Sequence, residues 1–150
     1  MISERIRELG YTFEAAPAVV LDRFHTATRV GDLVFTSGQV PSLGDQHIRG
    51  RVGADVDMGQ ARRAAELATV NCLRAVAAIA DLDEIDRVAK VFGMVNCADG
   101  FDDTTGVINA CSELLFAVLG ERGREHARSA VGLTVPAGWA VEIDMVVVLK

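Results

Sequence analysis

Arg128 is the residue of this chain whose type and neighbours most directly suggest ligand chemistry. It lies near the start of an apolar segment, residues 127–135, whose pattern predicts a strand. The period of two in a strand places three small residues on the same face as the arginine: Ala130, Gly132 and Thr134. They leave open space beside the guanidinium, which a helix, another subunit or a ligand carboxylate could fill. A solvated or ion-paired arginine at a strand start is the alternative.

Glu142 is the second candidate, near the start of the last apolar segment, residues 141–149. Side chains alternate between the two faces of a strand, so Glu142 and the apolar Ile143 point to opposite faces. The carboxyl of Glu142 therefore lies near the start of a strand whose other face is core. It could take part in chemistry, or it could be a surface carboxylate or the salt-bridge partner of Arg128. Asn109, in a predicted helix, could contact a ligand or make a hydrogen bond on the helix surface.

Small polar residues end an earlier predicted strand, in the run Thr36-Ser37-Gly38-Gln39. Exposed backbone amides in this run could receive an anion. Strand ends often have this composition, so a purely structural role for Ser37 and Gly38 stays open.

No other group of reactive residues has a spacing typical of a known site. The histidines are dispersed, and the cysteines are odd in number and lack the spacing of a zinc site or a disulfide framework. The chain contains no glycine-rich nucleotide motif and no G-x-S-x-G motif. We therefore predict no metal, no cofactor and no covalent nucleophile, with reduced cysteines. These residues are His25, His47, His126, Cys72, Cys97 and Cys111.

The elements that must position the candidates follow from periodicity and from helix start and stop signals. An alanine-rich apolar stripe predicts a long helix, and glycines end a second one. Alternating apolar runs predict strands, two of them joined as a hairpin by a glycine-containing turn. The predicted helices cover residues 3–9, from Asp55 or Asp57 to 80, and from Asp103 or Thr104 to 119; the predicted strands cover 19–29, 33–38, 88–96, 127–135 and 141–149, with a polar loop at 41–53.

This order, β-β-α-β-α-β-β, predicts an α+β domain over residues 1–150 with one mixed sheet and both helices on one face. The other face of the sheet must then be covered, and packing against neighbouring subunits is the simplest way to cover it. Half of the residues are hydrophobic and the mean hydropathy is +0.25, which also suits a chain with a subunit interface.

The charge balance argues against nucleic acid as a partner, because phosphate binding needs basic patches. Lysine and arginine number 15 against 21 acidic residues, giving a net charge of −6. The mixed charges of the first ten residues do not suit a signal peptide, and the apolar runs are too short to span a bilayer. We therefore expect a cytoplasmic protein without a membrane segment.

The candidate residues also resemble the motifs of the RidA/YjgF family. Each match is weak alone, but together they cover residues 18–150 in one order with compatible spacing. The matching pieces are Gly31-Asp-Leu-Val-Phe-Thr-Ser-Gly-Gln39, Gln60-Ala61, Asn71, Asp81-Leu-Asp83, Val88-Ala-Lys-Val, Phe101, Asn109, Leu115-Phe116, Gly120, Ala127-Arg128-Ser129-Ala-Val and Val141-Glu142-Ile143. Residues 1–17 look like the N-terminal extension of a divergent branch.

The resemblance implies the chorismate-mutase-like fold, a homotrimer and clefts between adjacent subunits. It also implies hydrolysis of reactive 2-imino or enamino acids to 2-keto acids and ammonia. In that scheme Arg128 grips the substrate carboxylate and Glu142 orients or activates water. Asn109, Ser37 and Gly38 line the cleft.

Two departures from the family pattern concern the cleft itself. Phe24 stands where the family usually has a tyrosine, and Ala130 where it usually has a cysteine. The retained Arg128 favours carboxylate binding, whereas the two losses leave a non-catalytic metabolite-binding trimer as an alternative. Ribonuclease or translation inhibition, ascribed to some relatives, fits the acidic chain poorly.

Overall fold

A five-stranded mixed sheet with two long helices on one face forms the centre of the molecule, in a computed structural model that describes residues 1–150. The strands Ile85–Val95 and Ala127–Gly132 are parallel, and the other neighbours are antiparallel. In spatial order the strands are β3 (Ala27–Val30), β4 (Leu33–Thr36), β9 (Val141–Leu149), β7 (Ile85–Val95) and β8 (Ala127–Gly132). The predicted fold class is confirmed.

The helices pack against the sheet and against each other. They are α1 (Ile2–Glu8), α2 (Met58–Ala77), α3 (Thr104–Leu119) and the single turn α4 (Glu121–Arg124), and two 3-10 turns cover Leu82–Glu84 and Pro136–Gly138. Asp57, rather than Asp55, caps α2 by accepting a hydrogen bond from the Gln60 amide, with the reciprocal bond of a capping box. Asp103 caps α3 through the Gly106 amide.

Several predicted boundaries were wrong. Strand β7 begins at Ile85 rather than at 88, and β4 ends at Thr36 rather than at 38. Three further differences have local reasons. The predicted strand 19–29 is broken at Leu21 and Asp22, where φ of 50° and 53° turns the chain back on itself. It consists of β1 (Val19–Val20), paired with β2 (Phe24–His25), and then β3. Helix α2 ends at Ala77 rather than at 80, and the Ala78 and Ile79 amides bond to carbonyls three residues earlier in the chain. Strand β8 ends at 132, because its partner β7 ends as well.

The predicted polar loop 41–53 contains a small hairpin, and the first helix packs into the same core as the rest of the chain. Strands β5 (Ser42–Leu43) and β6 (Gln46–His47) form that hairpin. Ile2 and Ile6 of α1 are buried, and the Arg5 side chain donates a hydrogen bond to the Val118 carbonyl on α3.

The face of the sheet away from the helices is largely apolar and partly exposed. Leu33 and Phe35 on β4 and Val131 on β8 are 37–39% exposed, although they are large apolar side chains. The same face also contains Lys90, Phe92, Met94, Glu142, Asp144, Val146 and Val148.

Among the helices of the chain, none combines the length and the apolar character that crossing a membrane requires.

Candidate functional site

Arg128 lies on the edge strand β8 and faces the helices. Its parallel partner on β7 is the buried Val91, so the two side chains share the helix-covered face. One guanidinium nitrogen, Nη1, donates to Asn109 Oδ1 at 2.9 Å and to Ser112 Oγ at 3.0 Å. No carboxylate lies within 4.0 Å, since none of the five ion pairs of the chain includes Arg128. The rest of the fork is free to bind an anion.

The small residues of β8 allow α3 to approach, which is one of the three alternatives that the sequence left open. Thr104, at the start of α3, donates its hydroxyl to the Ala130 carbonyl at 2.9 Å. Asn109 and Ser112 are three residues apart and therefore lie on the same side of α3. The space beside Arg128 is thus partly filled by a helix that holds one of its nitrogens.

Ser112 and His126 extend this network, and the sequence analysis missed both. His126 Nε2 lies 2.8 Å from Ser112 Oγ, and His126 Nδ1 lies 2.6 Å from the Gly123 carbonyl. With Nδ1 protonated, Nε2 accepts the Ser112 hydroxyl proton, and the serine oxygen accepts from Arg128. A pocket of about 390 Å³ opens here, lined by Ser112, Glu113, Phe116, Arg124, His126 and Arg128. Its one carboxylate, that of Glu113, pairs with Arg62 and not with Arg128. The three-residue spacing between Asn109 and Ser112 in the predicted helix was the sequence feature that could have identified Ser112 as a site residue.

Glu142 points to the opposite, open face of the sheet. On β9 it is the partner of Met94, whereas its neighbour Ile143 is completely buried beneath the helices. Burial raises the pKa of the Glu142 carboxyl, and the nearby Asp144 carboxyl raises that pKa further. The alternative in which Glu142 is the salt-bridge partner of Arg128 is wrong, because the two side chains lie on different faces of the sheet.

Glu142 packs against Gly38, which brings it to the polar end of β4. A Cβ at Gly38 would lie 2.7 Å from Glu142 Cδ, so the absence of a side chain is what allows this contact. Ser37 donates its hydroxyl to the His25 carbonyl at 2.7 Å. The backbone amides of Ser37 and Gln39 are already bonded to carbonyls, which leaves the Gly38 amide as the one without a partner in this run. The Gly38 amide is available to a ligand, and the anion site itself stays a prediction.

Phe24, Ser37 and Gly38 line a second pocket, of about 420 Å³. The predicted site residues therefore form two groups in one chain. Arg128, Asn109 and Ala130 lie at the β8 edge on the helix side. In the second group, Phe24 lies on β2, Ser37 and Gly38 follow β4, and Glu142 lies on β9. Strand β9 is two strands away from β8, and β4 is three strands away.

Asp144 provides a test of the electrostatics on the open face. Burial raises the pKa of its carboxyl, and Lys90 opposes that rise. A raised pKa means that the protonated form is favoured by folding, so this stability is complete below pH about 4 and is lost as pH rises through the folded pKa. Asp144→Asn should therefore melt above the parent at pH 7 and match it near pH 3.5.

Melting curves between pH 3.5 and 8 check this expectation. Asp45→Asn, at an exposed turn between β5 and β6, is the matched control and should follow the parent throughout. A lower melting temperature for Asp144→Asn at pH 7 would mean that the attraction to Lys90 outweighs burial.

Comparison with known proteins identifies similar sequences and folds along nearly the whole chain. A family model described as "YjgF/chorismate_mutase-like, putative endoribonuclease" matches residues 7–139. Protein TCP17 of Trypanosoma cruzi is 32% identical over 153 aligned residues, which cover 99% of this chain and 94% of TCP17. The crystal structure of Atu1372 from Agrobacterium tumefaciens is 42% identical with a TM-score of 0.88, covering 99% and 93% of the two chains. The YjgF gene product of E. coli is 25% identical with a TM-score of 0.54, covering 90% and 94%.

Proposed function

The chain belongs to the YjgF/RidA family, and we propose that it hydrolyses reactive 2-imino and enamino acids to 2-keto acids and ammonia in the cytoplasm. The reaction takes place in clefts between the subunits of a homotrimer. Its substrate is a small carboxylate, and no cofactor takes part.

The observation that carries this proposal is the uncompensated guanidinium of Arg128. Asn109 and Ser112 fix one nitrogen of the fork, and no carboxylate of the chain neutralises the charge. An arginine held in this way can bind a ligand carboxylate with two parallel hydrogen bonds at little ordering cost. Every 2-imino and 2-keto acid carries such a carboxylate.

Glu142 supplies the proton transfers. A raised pKa brings a carboxyl closer to neutral pH, where it exchanges protons more effectively. Glu142 takes a proton from water as the water oxygen bonds to the imine carbon, and passes that proton to the nitrogen. The carbinolamine then breaks its C–N bond, its hydroxyl proton moves to the departing nitrogen, and ammonia leaves. Because an imine is already electrophilic, positioning and one base suffice.

The two groups of site residues can form one site only if they come from two neighbouring subunits. Within one chain Arg128 and Glu142 are on opposite faces of the sheet. Arg128 is on an edge strand, which a neighbouring chain can approach, and the exposed apolar face of the sheet offers the area for an interface. A trimer, which the family resemblance implies, pairs the Arg128 group of one chain with the Glu142 group of the next.

The oligomer is the first prediction of this proposal. Light scattering coupled to size exclusion should give three times the chain mass of 16.0 kDa. Phe35→Asp places a charge on the open face and should shift the protein towards monomer, whereas Leu9→Asp, similarly exposed but on α1's side, should leave the trimer intact. A parent protein that stays monomeric at micromolar concentration contradicts the intersubunit site.

A coupled assay tests the activity itself. An amino-acid oxidase or a dehydratase generates the imine, and the release of keto acid is timed with and without this protein. Faster release supports hydrolysis, and no acceleration despite ligand binding supports the second candidate.

That second candidate is a metabolite-binding trimer without catalysis, and Phe24 and Ala130 favour it. Phe24 lacks the hydroxyl, and Ala130 lacks the thiol, that the family pattern usually places in the cleft. Both candidates share carboxylate binding at Arg128, so they differ in turnover alone.

A further inference from the structure

The pocket lined by Phe24, Ser37 and Gly38 contains a second uncompensated cation, Arg74 on α2. Arg74 is half-buried and belongs to none of the ion pairs of the chain. Its Nε donates to the Glu14 carbonyl at 2.8 Å and its Nη1 to Asn71 Oδ1 at 2.8 Å. The Nη2 group makes no hydrogen bond. Arg74 and Arg128 are the two half-buried arginines on pocket walls that lack a carboxylate partner.

The surroundings of Arg74 favour an anion from outside the chain. No aspartate or glutamate lines this pocket, and a large part of its wall is apolar, including Val19, Leu21 and Val40. A charge that is partly removed from water costs free energy unless a counter-charge approaches it. Apolar walls also strengthen the attraction between the charge and that partner. The pocket is therefore suited to a ligand with an aliphatic body and an acidic end.

Arg74 is also held in position before any ligand arrives. The buried Asn71 that accepts its hydrogen bond donates in turn to the carbonyls of Val40 and Ser42, both at 2.9 Å. The backbone of Arg74 accepts a hydrogen bond from the Ala16 amide, which attaches the N-terminal segment to the pocket wall. A guanidinium fixed by side chain and backbone contacts loses little freedom on binding.

We propose that Arg74 binds a second carboxylate of the substrate, so that this site prefers dicarboxylic 2-imino and 2-keto acids. The inference rests on the proposed function. The neighbouring subunit's Arg128 takes the carboxylate next to C2, and C2 lies near Glu142 and Gly38. The side chain of the substrate then extends into the pocket of about 420 Å³ and ends at Arg74.

Calorimetric titration of the full-length protein with two ligands of equal shape tests this inference. The probes are 2-oxoglutarate and 5-methyl-2-oxohexanoate, in which an isopropyl group replaces the distal carboxylate. The parent should bind 2-oxoglutarate roughly 10- to 100-fold more tightly, the effect of one charged hydrogen-bonded contact. Arg74→Met should abolish that preference and keep the affinity for 5-methyl-2-oxohexanoate. Arg74→Lys should retain part of it, because an ammonium keeps the charge without the fork.

Two variants serve as controls, and the outcomes separate this inference from the proposed function. Arg63→Met, on the same helix but outside the pocket, should bind as the parent does, whereas Arg128→Ala should bind both ligands about 10- to 200-fold more weakly. Equal affinity of the parent for both ligands overturns the role of Arg74 and leaves the proposed function standing. Equal loss of both ligands in Arg74→Met also overturns it, because Arg74 would then only support the pocket wall. Failure of the parent to bind either keto acid overturns both proposals.

Discussion

Glu142→Gln should reduce turnover of 2-imino acids by about 10²- to 10⁴-fold, the usual contribution of one positioned acid or base. Glutamine has the same shape and can keep the contact with Gly38, but it cannot accept or return a proton. The affinity for 2-keto acids should change little, because Arg128 holds the ligand. The measurement is the initial rate of keto-acid release from enzymatically generated imines, together with calorimetric affinity.

The neighbouring Asp144 provides the matched control for this substitution. Asp144→Asn removes a half-buried carboxyl on the same face but leaves Glu142 in place, so turnover at pH 7 should persist. Because the Asp144 charge raises the pKa of Glu142, the acid limb of the pH–rate profile should move to lower pH in this variant. Unchanged turnover in Glu142→Gln would leave Glu142 as a structural carboxylate and favour the metabolite-binding trimer.

The sequence was sufficient to predict the sheet, both long helices and the division of the last two strands into two faces. Helix caps such as Asp57 and Asp103, and the small residues on the strand face of Arg128, depend on neighbours that are close in the sequence. A sequence pattern can therefore predict them. The break at Leu21 and Asp22 was missed because leucine rarely adopts a positive φ, and a single aspartate is a weaker turn signal than glycine.

Which site residues lie close together in space was harder to predict, because that depends on how the strands pair. Alternation divides a strand into two faces but does not say which face of one strand matches which face of the next. For β9 the apolar content decides, and Glu142 was correctly placed opposite the core. For β8 both faces consist of small or apolar residues, so only the pairing of Arg128 with Val91 assigns its side chain to the helices.

The contacts of Arg128 and Arg74 show why the sequence identified Arg128 but neither Arg74 nor the partners of the two arginines. Ser112, His126 and Asn71 acquire their roles through tertiary packing, with partners 14 to 31 residues away along the chain. Arg74 lies in an alanine-rich helix, where an arginine is an ordinary surface residue by pattern. Its position on a pocket wall depends on the N-terminal segment, which crosses the end of α2.

Arg128→Ala should strongly weaken the binding of small 2-keto acids, and both candidate functions depend on this result. Losing a charged, hydrogen-bonded partner costs roughly 1.5–3 kcal/mol, or about 10- to 200-fold in affinity. Arg128→Lys should recover only part of this, because an ammonium cannot form two parallel bonds to a carboxylate. Titration calorimetry with pyruvate and 2-oxobutyrate on the three proteins measures the effect.

Stability must be followed in parallel, because Arg128 also bonds to α3. The substitution removes hydrogen bonds to Asn109 and Ser112, whose half-buried side chains can turn to water, so the unfolding free energy should fall by only about 1 kcal/mol. Arg124→Ala is the matched control: Arg124 lines the same pocket, but it stacks on Phe116 at 3.8 Å and pairs with Glu121, so its charge is already partnered. It should bind keto acids as the parent does. Equal affinity in the parent and in both Arg128 variants would remove Arg128 as the anchor, and with it the feature that gives this fold a site.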